Sequence, residues 1–259
     1  MTDAVTVTSR NNALLLRLRK LARTPGAYRK HGAVWLEGEH LCQALRGRGR
    51  AATQALVSEA VWQQPALREL AQWAPRVAIV SEALFAGVSA LDSPAGIGLV
   101  IDMPTAPAVM PDAASVVLDR VQDAGNVGSI LRSAAALGFS QVLALEGSAA
   151  LWSPKVLRAG MGAHFALDLV EGLAQSDLDG LRVPLLAGSS HAAGALDDAV
   201  LPFPCAWVFG HEGQGVAAGL LARCAQTLRI PQPGGEESLN VAAAAAICLY
   251  ATRRGAAGR

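Results

Sequence analysis

A chain of 259 residues, 52% of them hydrophobic, is longer than one average domain and excludes a largely disordered protein. The net charge of +1 hides an asymmetry: residues 1–105 hold 12 basic and 8 acidic side chains, and residues 106–259 hold 10 and 13. No apolar run reaches the ~18–20 residues of a membrane span. Ala13-Leu14-Leu15-Leu16 is too short for a signal sequence, so a cytoplasmic location is expected.

The basic charge is concentrated between Arg10 and Arg50, where ten Lys and Arg residues face only Glu37 and Glu39. Such a stretch suits a polyanionic partner, and equally a solvated basic face. Residues Asn11 to Leu21 place apolar side chains at helical spacing with Arg17, Arg19 and Lys20 between them, and Thr24-Pro25-Gly26 ends that helix. A basic segment, Tyr28 to Gly32, leads into a strand at Ala33–Leu36, a Glu37-Gly38 turn and a helix from about Glu39 to Leu45. Further strands are expected at Ala55–Val57 and Arg76–Val80, giving a compact α/β unit that ends near Ile101.

Between Asp102 and Asp112 stand Pro104, Pro107 and Pro111, which read as an extended linker or as a strand edge. From Ser115 onward short apolar runs alternate with helical patterns. Strands are expected at 116–118, 142–145, 165–170, 183–187, 206–209 and 227–230, with a helix from about Val127 to Leu137. This alternation implies a parallel sheet covered on both faces. A loop containing Pro231, Pro233, Gly234 and Gly235 then leads to Ser238 as the expected N-cap of a helix from Leu239 to about Arg253. That helix is apolar on nearly every face, so full burial is expected.

Cys42, Cys205, Cys224 and Cys248 form no C-x-x-C pair and no cluster of metal-ligand spacing. They read as buried thiols, and no metal is expected.

Three stretches carry chemistry. Asp123-Ala124-Gly125-Asn126-Val127-Gly128-Ser129-Ile130-Leu131-Arg132 places Asn126 and glycines at a helix start, where outward N–H groups form an anion site, or where Asn is merely a cap. Trp207 to Gly215 is a strand entering a glycine loop without the Lys of a P-loop. Its glycines let the backbone approach a planar ligand, and Glu212 can hold the loop or the substrate. In Ile230-Pro231 through Ser238-Leu239-Asn240-Val241, apolar Ile230 and Leu239 could sandwich an adenine.

Together, in this order, the three stretches resemble the motifs of the SpoU (TrmH-like) RNA ribose 2′-O-methyltransferases. The resemblance covers roughly Ser115 to Tyr250. It implies an α/β trefoil-knot methyltransferase domain at 115–259, a linker at 106–114, and a smaller N-terminal α/β (L30e-like) RNA-binding domain at 1–105. It also implies a homodimer with the active site near its interface and S-adenosylmethionine as the methyl donor. Asn126, Arg132, Glu212, Ser238 and Asn240 would form the catalytic centre. Ala187, Gly188, Gly210, Gly215, Ile230, Ser238 and Leu239 would line the cofactor site. The matching Arg of the family has been viewed as a base, but a guanidinium stays protonated. Arg132 is therefore assigned to orienting the 2′-hydroxyl or its phosphate and to stabilising the developing alkoxide.

Arg23, Arg29 and Lys30, and Lys155 and Arg158 of the glycine-rich segment Pro154–Ala163, would grip RNA. A capped helix with a surface face explains either of the last two as well. Gln232 departs from the Met that the family usually carries after Ile-Pro. Ribosomal RNA is the first expectation for the substrate, with tRNA as the alternative. A catalytically silent RNA-binding relative and a base methylase are rivals of other classes.

Overall fold

The computed structural model describes residues 3–234 and 239–257. The chain divides into two units: residues 3–105 with Trp152–Phe165, and Ala106–Leu151 with Ala166 onward.

In the first unit, helices α1 (Ala13–Arg23), α2 (Ala27–His31), α3 (Glu39–Gly47), α4 (Glu59–Trp62), α5 (Pro65–Ala71) and α6 (Glu82–Val88) surround a five-stranded sheet. Its strands β1 (Asp3–Thr6), β2 (Ala33–Glu37), β3 (Gln54–Ser58), β4 (Arg76–Val80) and β5 (Ile97–Asp102) take the order β1-β4-β3-β5-β2. The first three in that order are parallel, and β5 runs antiparallel to both β3 and β2. Neither β1 nor β5 is announced by the sequence pattern. Strand β1 is exposed along its whole length and has no apolar alternation to announce it. Strand β5 runs from glycine-flanked Ile97 into the proline stretch.

The second unit is built on β6 (Ser115–Asp119), β7 (Gln141–Leu145), β8 (Asp168–Leu173), β9 (Leu185–Gly188), β10 (Gly194–Ala195), β11 (Ala206–Gly210) and β12 (Gln226–Arg229). They form one sheet in the order β10-β12-β9-β11-β6-β7-β8, every pairing parallel. Strands β6, β7 and β11 are buried at every residue, as a sheet covered on both faces requires. One face packs Val117, Leu143, Val170, Leu185, Ala187 and Val208 into a single cluster with Leu220. Helix α10 (Val241–Ala257) lies against β9 and β11 and packs with α7 (Ala124–Ala136). The two remaining helices are α8 (Pro154–Gly160) and α9 (Ala218–Leu221).

Three expectations are corrected. Helix α8 packs with α1 and β2 of the first unit, so the segment carrying Lys155 and Arg158 clusters outside the unit to which the sequence reading assigned it. Residues 106–114 cluster with the second unit and are held to it: the Met110 N–H donates to Gln141 Oε1 at 2.7 Å, and Arg182 pairs with Asp112. Helix α10 is not buried all round. Cys248, Leu249 and Thr252 face the interior, while Ile247 and Tyr250 are 40% and 58% exposed. The inner face is anchored by Trp207, fully buried on β11, whose indole N–H donates to Thr252 Oγ1 at 2.9 Å.

The cysteines are free, three of them buried. Burial pushes the thiols of Cys42, Cys205 and Cys248 up to about 12 and that of Cys224 to about 11, so none is a ready nucleophile at neutral pH. No helix among the described residues is long and apolar enough to cross a membrane.

Candidate active site

Along the chain the sheet grows from β6 through β7 to β8, and β9 and β11 then fall on the opposite side of β6. Order thus reverses between β6 and β11, and in open parallel sheets a ligand crevice forms beyond the carboxyl ends of strands at such a point. Here those ends are Asp119 and Gly210.

Helix α7 starts just beyond β6. Its N-cap is Asp123, whose side chain accepts from the Asn126 N–H at 2.9 Å. Asn126 therefore lies one turn inside the helix rather than at its cap, and its amide is free for other contacts. The anion at this helix start is the protein's own: the Glu212 carboxylate accepts from the N–H groups of Gln122 and Asp123 at 3.2 and 3.0 Å. Asn126 Nδ2 donates to Glu212 Oε1 at 3.1 Å. From the other side Asn240 Nδ2 donates to Asn126 Oδ1 at 2.9 Å.

Asn240 is also the N-cap of α10, its Oδ1 accepting from the N–H groups of Ala242 and Ala243 at 2.9 and 3.3 Å. The cap expected at Ser238 is thus made by Asn240, and the helix begins at Val241. Ser238 itself lies outside the described residues. A continuous chain of hydrogen bonds runs from the start of α10 through Asn240, Asn126 and Glu212 to the start of α7, and it fixes the orientation of both side-chain amides.

Burial pushes the Glu212 carboxyl up, but the hydrogen bonds from the Asn126 side chain and the Asp123 and Gln122 N–H groups outweigh it. They hold the group below the ordinary glutamate value. A depressed folded-state value contributes stability that is complete above the unfolded value of ~4.3 and is lost as pH falls through the folded value. The stability advantage of the native chain over Glu212→Gln, read from urea unfolding, is expected to be constant from pH 8 to pH 5 and to shrink only at lower pH. An advantage that instead fell between pH 7 and 6 would contradict this charge state.

Beside the network lies a cavity of about 610 Å³. Gly188, Gly210, Glu212, Gly215, Ile230, Leu239 and Asn240 line it, with Leu228, Val216 and Ala244 adding apolar wall and Ser189, Ser190 and His191 adding polar groups. Gly210 is required by close approach: a Cβ there would stand 2.2 Å from Gly215 C and Val216 N. The loop it starts is closed by paired hydrogen bonds between the backbones of His211 and Gly215 at 3.1 and 2.8 Å. Gln232 also lines the cavity, and its buried Oε1 has no hydrogen-bond partner among the described residues. A ligand donor would relieve the ~1–3 kcal/mol cost of such an acceptor.

Two site residues were missed. Asp119 is buried at the end of β6 and accepts both Nε and Nη2 of Arg120, at 2.9 and 3.1 Å, and the Ala217 N–H at 2.7 Å. Arg120 has a left-handed backbone, φ 59°, and donates from Nη1 to Gln214 Oε1 at 3.0 Å. This pair ties the end of β6 to the glycine loop. A carboxylate closing an apolar run was the only signal in the sequence.

Other expected residues fall elsewhere. Ala187 is in the sheet's core cluster and does not line the cavity, because alternation along β9 turns it away from Gly188. Arg132 is exposed on α7 without a hydrogen bond among the described residues. Arg23 is engaged structurally, donating to the Gly87 and Ser89 carbonyls at the end of α6. Arg29 lies over the Tyr28 ring at 5.1 Å, Lys30 and Lys155 are exposed, and Arg158 is half-buried. Among the described residues no group of acidic, His and Cys side chains could hold a metal ion.

Residues 113–250 match the model of the SpoU rRNA Methylase family. The chain belongs to that family. Among its SpoU relatives is an uncharacterised tRNA/rRNA methyltransferase of Synechocystis, 32% identical over 97% of this chain and 94% of the relative. Another is the 23S rRNA (guanosine(2553)-2′-O)-methyltransferase RlmP of Bacillus subtilis, 33% identical over 86% and 90%. A solved RNA 2′-O ribose methyltransferase superposes with a TM-score of 0.82 at 30% identity, covering 98% of this chain and 100% of the other. The SpoU match spans the network, the glycine loop and α10 as far as Tyr250.

Proposed function

We propose that this chain transfers the methyl group of S-adenosylmethionine to the 2′-oxygen of a ribose in structured RNA, with ribosomal RNA as the substrate. The observation that carries this reading is the Asn240–Asn126–Glu212 network at the edge of the cavity. The cavity suits the donor: apolar Ile230 and Leu239 can hold the adenine, the glycine-loop backbone can approach closely, and Gln232 Oε1 offers an acceptor. When bound, the donor supplies an electrophilic sulfonium methyl.

The chain's own residues do the rest. Asn126 and Asn240 each keep a second amide hydrogen beyond the bonds described, and these can hold the ribose oxygen as negative charge develops on it. Glu212 keeps the Asn126 amide turned the right way. Arg132, on the exposed side of α7, is assigned to the RNA phosphate or the 2′-hydroxyl, and Ser238 to the same centre. Arg29, Lys30, Lys155 and Arg158 supply phosphate contacts. Exposed Ile247 and Tyr250 share one side of α10 and suit burial against a second copy, which supports a homodimer. The parallel strand order with α10 against α7 and β11 supports the trefoil knot implied by the resemblance, and the mixed five-stranded sheet supports an L30e-like RNA-binding domain. A cytoplasmic site of action suits this chemistry.

The test is transfer of labelled methyl from S-adenosylmethionine to unmodified ribosomal RNA and tRNA, followed by alkaline hydrolysis. A 2′-O-methyl blocks cleavage at its own linkage, so label is expected in alkali-resistant dinucleotides from ribosomal RNA. Label in mononucleotides would indicate a base methylase, and label only from tRNA would move the substrate class. Cofactor binding with no transfer to either pool would favour the catalytically silent reading.

A further inference from the structure

The RNA reading leaves unused the most basic short run in the chain, Arg46-Gly47-Arg48-Gly49-Arg50, where α3 ends. Helix ends often use cations to satisfy their last carbonyls, but here the loop's own N–H groups do so. Those of Arg48 and Arg50 donate to the Leu45 carbonyl, each at 3.2 Å, and that of Gly49 donates to the Arg46 carbonyl at 2.8 Å. Gly49 turns the chain with φ +63°, and a Cβ at either Gly47 or Gly49 would meet nothing within 4 Å, so the loop backbone is bare and open. Arg46 is paired with Glu69 at 2.6 Å. Arg48 and Arg50 are exposed, and among the described residues neither guanidinium has a partner.

Beside the loop stands Trp73, 40% exposed and just beyond α5. Its indole N–H donates to the Arg50 carbonyl at 2.8 Å, and the Arg46 guanidinium lies 5.9 Å from its ring centroid. The ring is thus fixed in orientation, with its one donor satisfied and a large apolar surface still in water. A fixed, exposed aromatic ring next to two unpaired guanidiniums on an open backbone is the arrangement that stacks a nucleobase and holds its flanking phosphates.

We propose that Trp73, Arg48 and Arg50 form a second RNA contact, in which an unpaired nucleotide of the substrate stacks on Trp73 while the two arginines hold the adjoining phosphates. The site takes a single-stranded segment, because a base still within a duplex cannot present its face to the ring. This inference rests on the RNA reading and adds a selection for substrates that carry an unpaired base.

The experiment uses the full chain with a fluorescein-labelled single-stranded oligoribonucleotide and the duplex of the same sequence, read by anisotropy across a salt series. Trp73→Ala is expected to weaken single-strand binding about tenfold, the scale of one lost stacking contact, and to leave duplex binding nearly unchanged. Trp73→Phe keeps most of the affinity. Arg48→Ala with Arg50→Ala lowers the slope of log K against log salt by about 1.4, as loss of two single-strand phosphate contacts requires. Ultraviolet crosslinking of the unaltered protein, which depends on no variant folding, is expected to yield an adduct on the peptide carrying Trp73.

Unchanged single-strand affinity in folded Trp73→Ala, an unchanged salt slope in the double variant, or adducts only on other peptides would each overturn the proposal. The two readings fail separately. Methyl transfer to RNA that persists with Trp73-independent binding removes the platform and keeps the methyltransferase. Trp73-dependent binding in a protein that transfers no methyl does the reverse.

Discussion

Replacement of Asn240 by Ala is expected to lower methyl transfer by about 10²–10³-fold, the usual effect of removing one preorganised donor from a site where charge develops. RNA retention should remain nearly intact. The side chain has two separable duties: Oδ1 caps α10, and Nδ2 holds Asn126. Loss of the cap alone costs about 1 kcal/mol, roughly 2–4 °C in Tm for a unit of this size. Asn240→Asp separates the two duties, since its carboxylate still caps the helix but turns an acceptor toward Asn126 Oδ1. The Asp variant should melt like the native protein and still fail to transfer methyl. If RNA retention fell in step with transfer in Asn240→Ala, the residue would belong to RNA binding and not to the catalytic centre.

Gly210→Ala is the second large effect. The added methyl would stand 2.2 Å from the backbone of Gly215 and Val216, and backbone cannot rotate aside as a flexible side chain can. Opening the His211–Gly215 turn to make room is expected to destabilise the second unit by about 3 kcal/mol, or roughly 10 °C in Tm. It should also weaken S-adenosylhomocysteine binding by about 100-fold, measured by calorimetry. Gly188→Ala is the control. It lines the same cavity, but its Cβ would find only Phe209 Cε1 at 3.8 Å and Cys248 Sγ at 4.0 Å, so it should keep its Tm while filling ligand space. A Gly210→Ala protein that melts and binds like the native one would mean that the loop closes differently from the geometry described.

Much of the second unit could be read from the chain because buried parallel strands are unbroken apolar runs: Val116–Leu118, Val142–Leu145 and Ala206–Phe209 all lie inside strands. Places where one local signal competed with another were misread. Ser238 offered a cap, but Asn240 makes it: its Oδ1 accepts from the first turn of α10 while its Nδ2 reaches Asn126, and either residue type suits a cap position equally well on the sequence alone. Alanines at 242–246 promised burial on every side, but burial depends on what the sheet presents, and β11 presents Trp207 to one face only. Asn126 and Glu212 lie 86 residues apart. Their contact follows from strand order, which periodicity does not encode; the motif resemblance singled out both residues but carried no geometry. Asp119 and Arg120 escaped notice because their work is done on a loop nearly a hundred positions downstream.

The seating of α10 through Trp207 and Thr252 makes ligand affinity and helix docking two readings of a single equilibrium. The same helix supplies Asn240, Val241 and Ala244 to the cavity and Leu249 and Cys248 to the interior. Any ligand that needs the former must also favour the docked state of the latter, by an amount that grows with the logarithm of its concentration over its Kd. Slow amide exchange along residues 245–252 would therefore serve as a gauge of occupancy, read at a distance from the methyl itself.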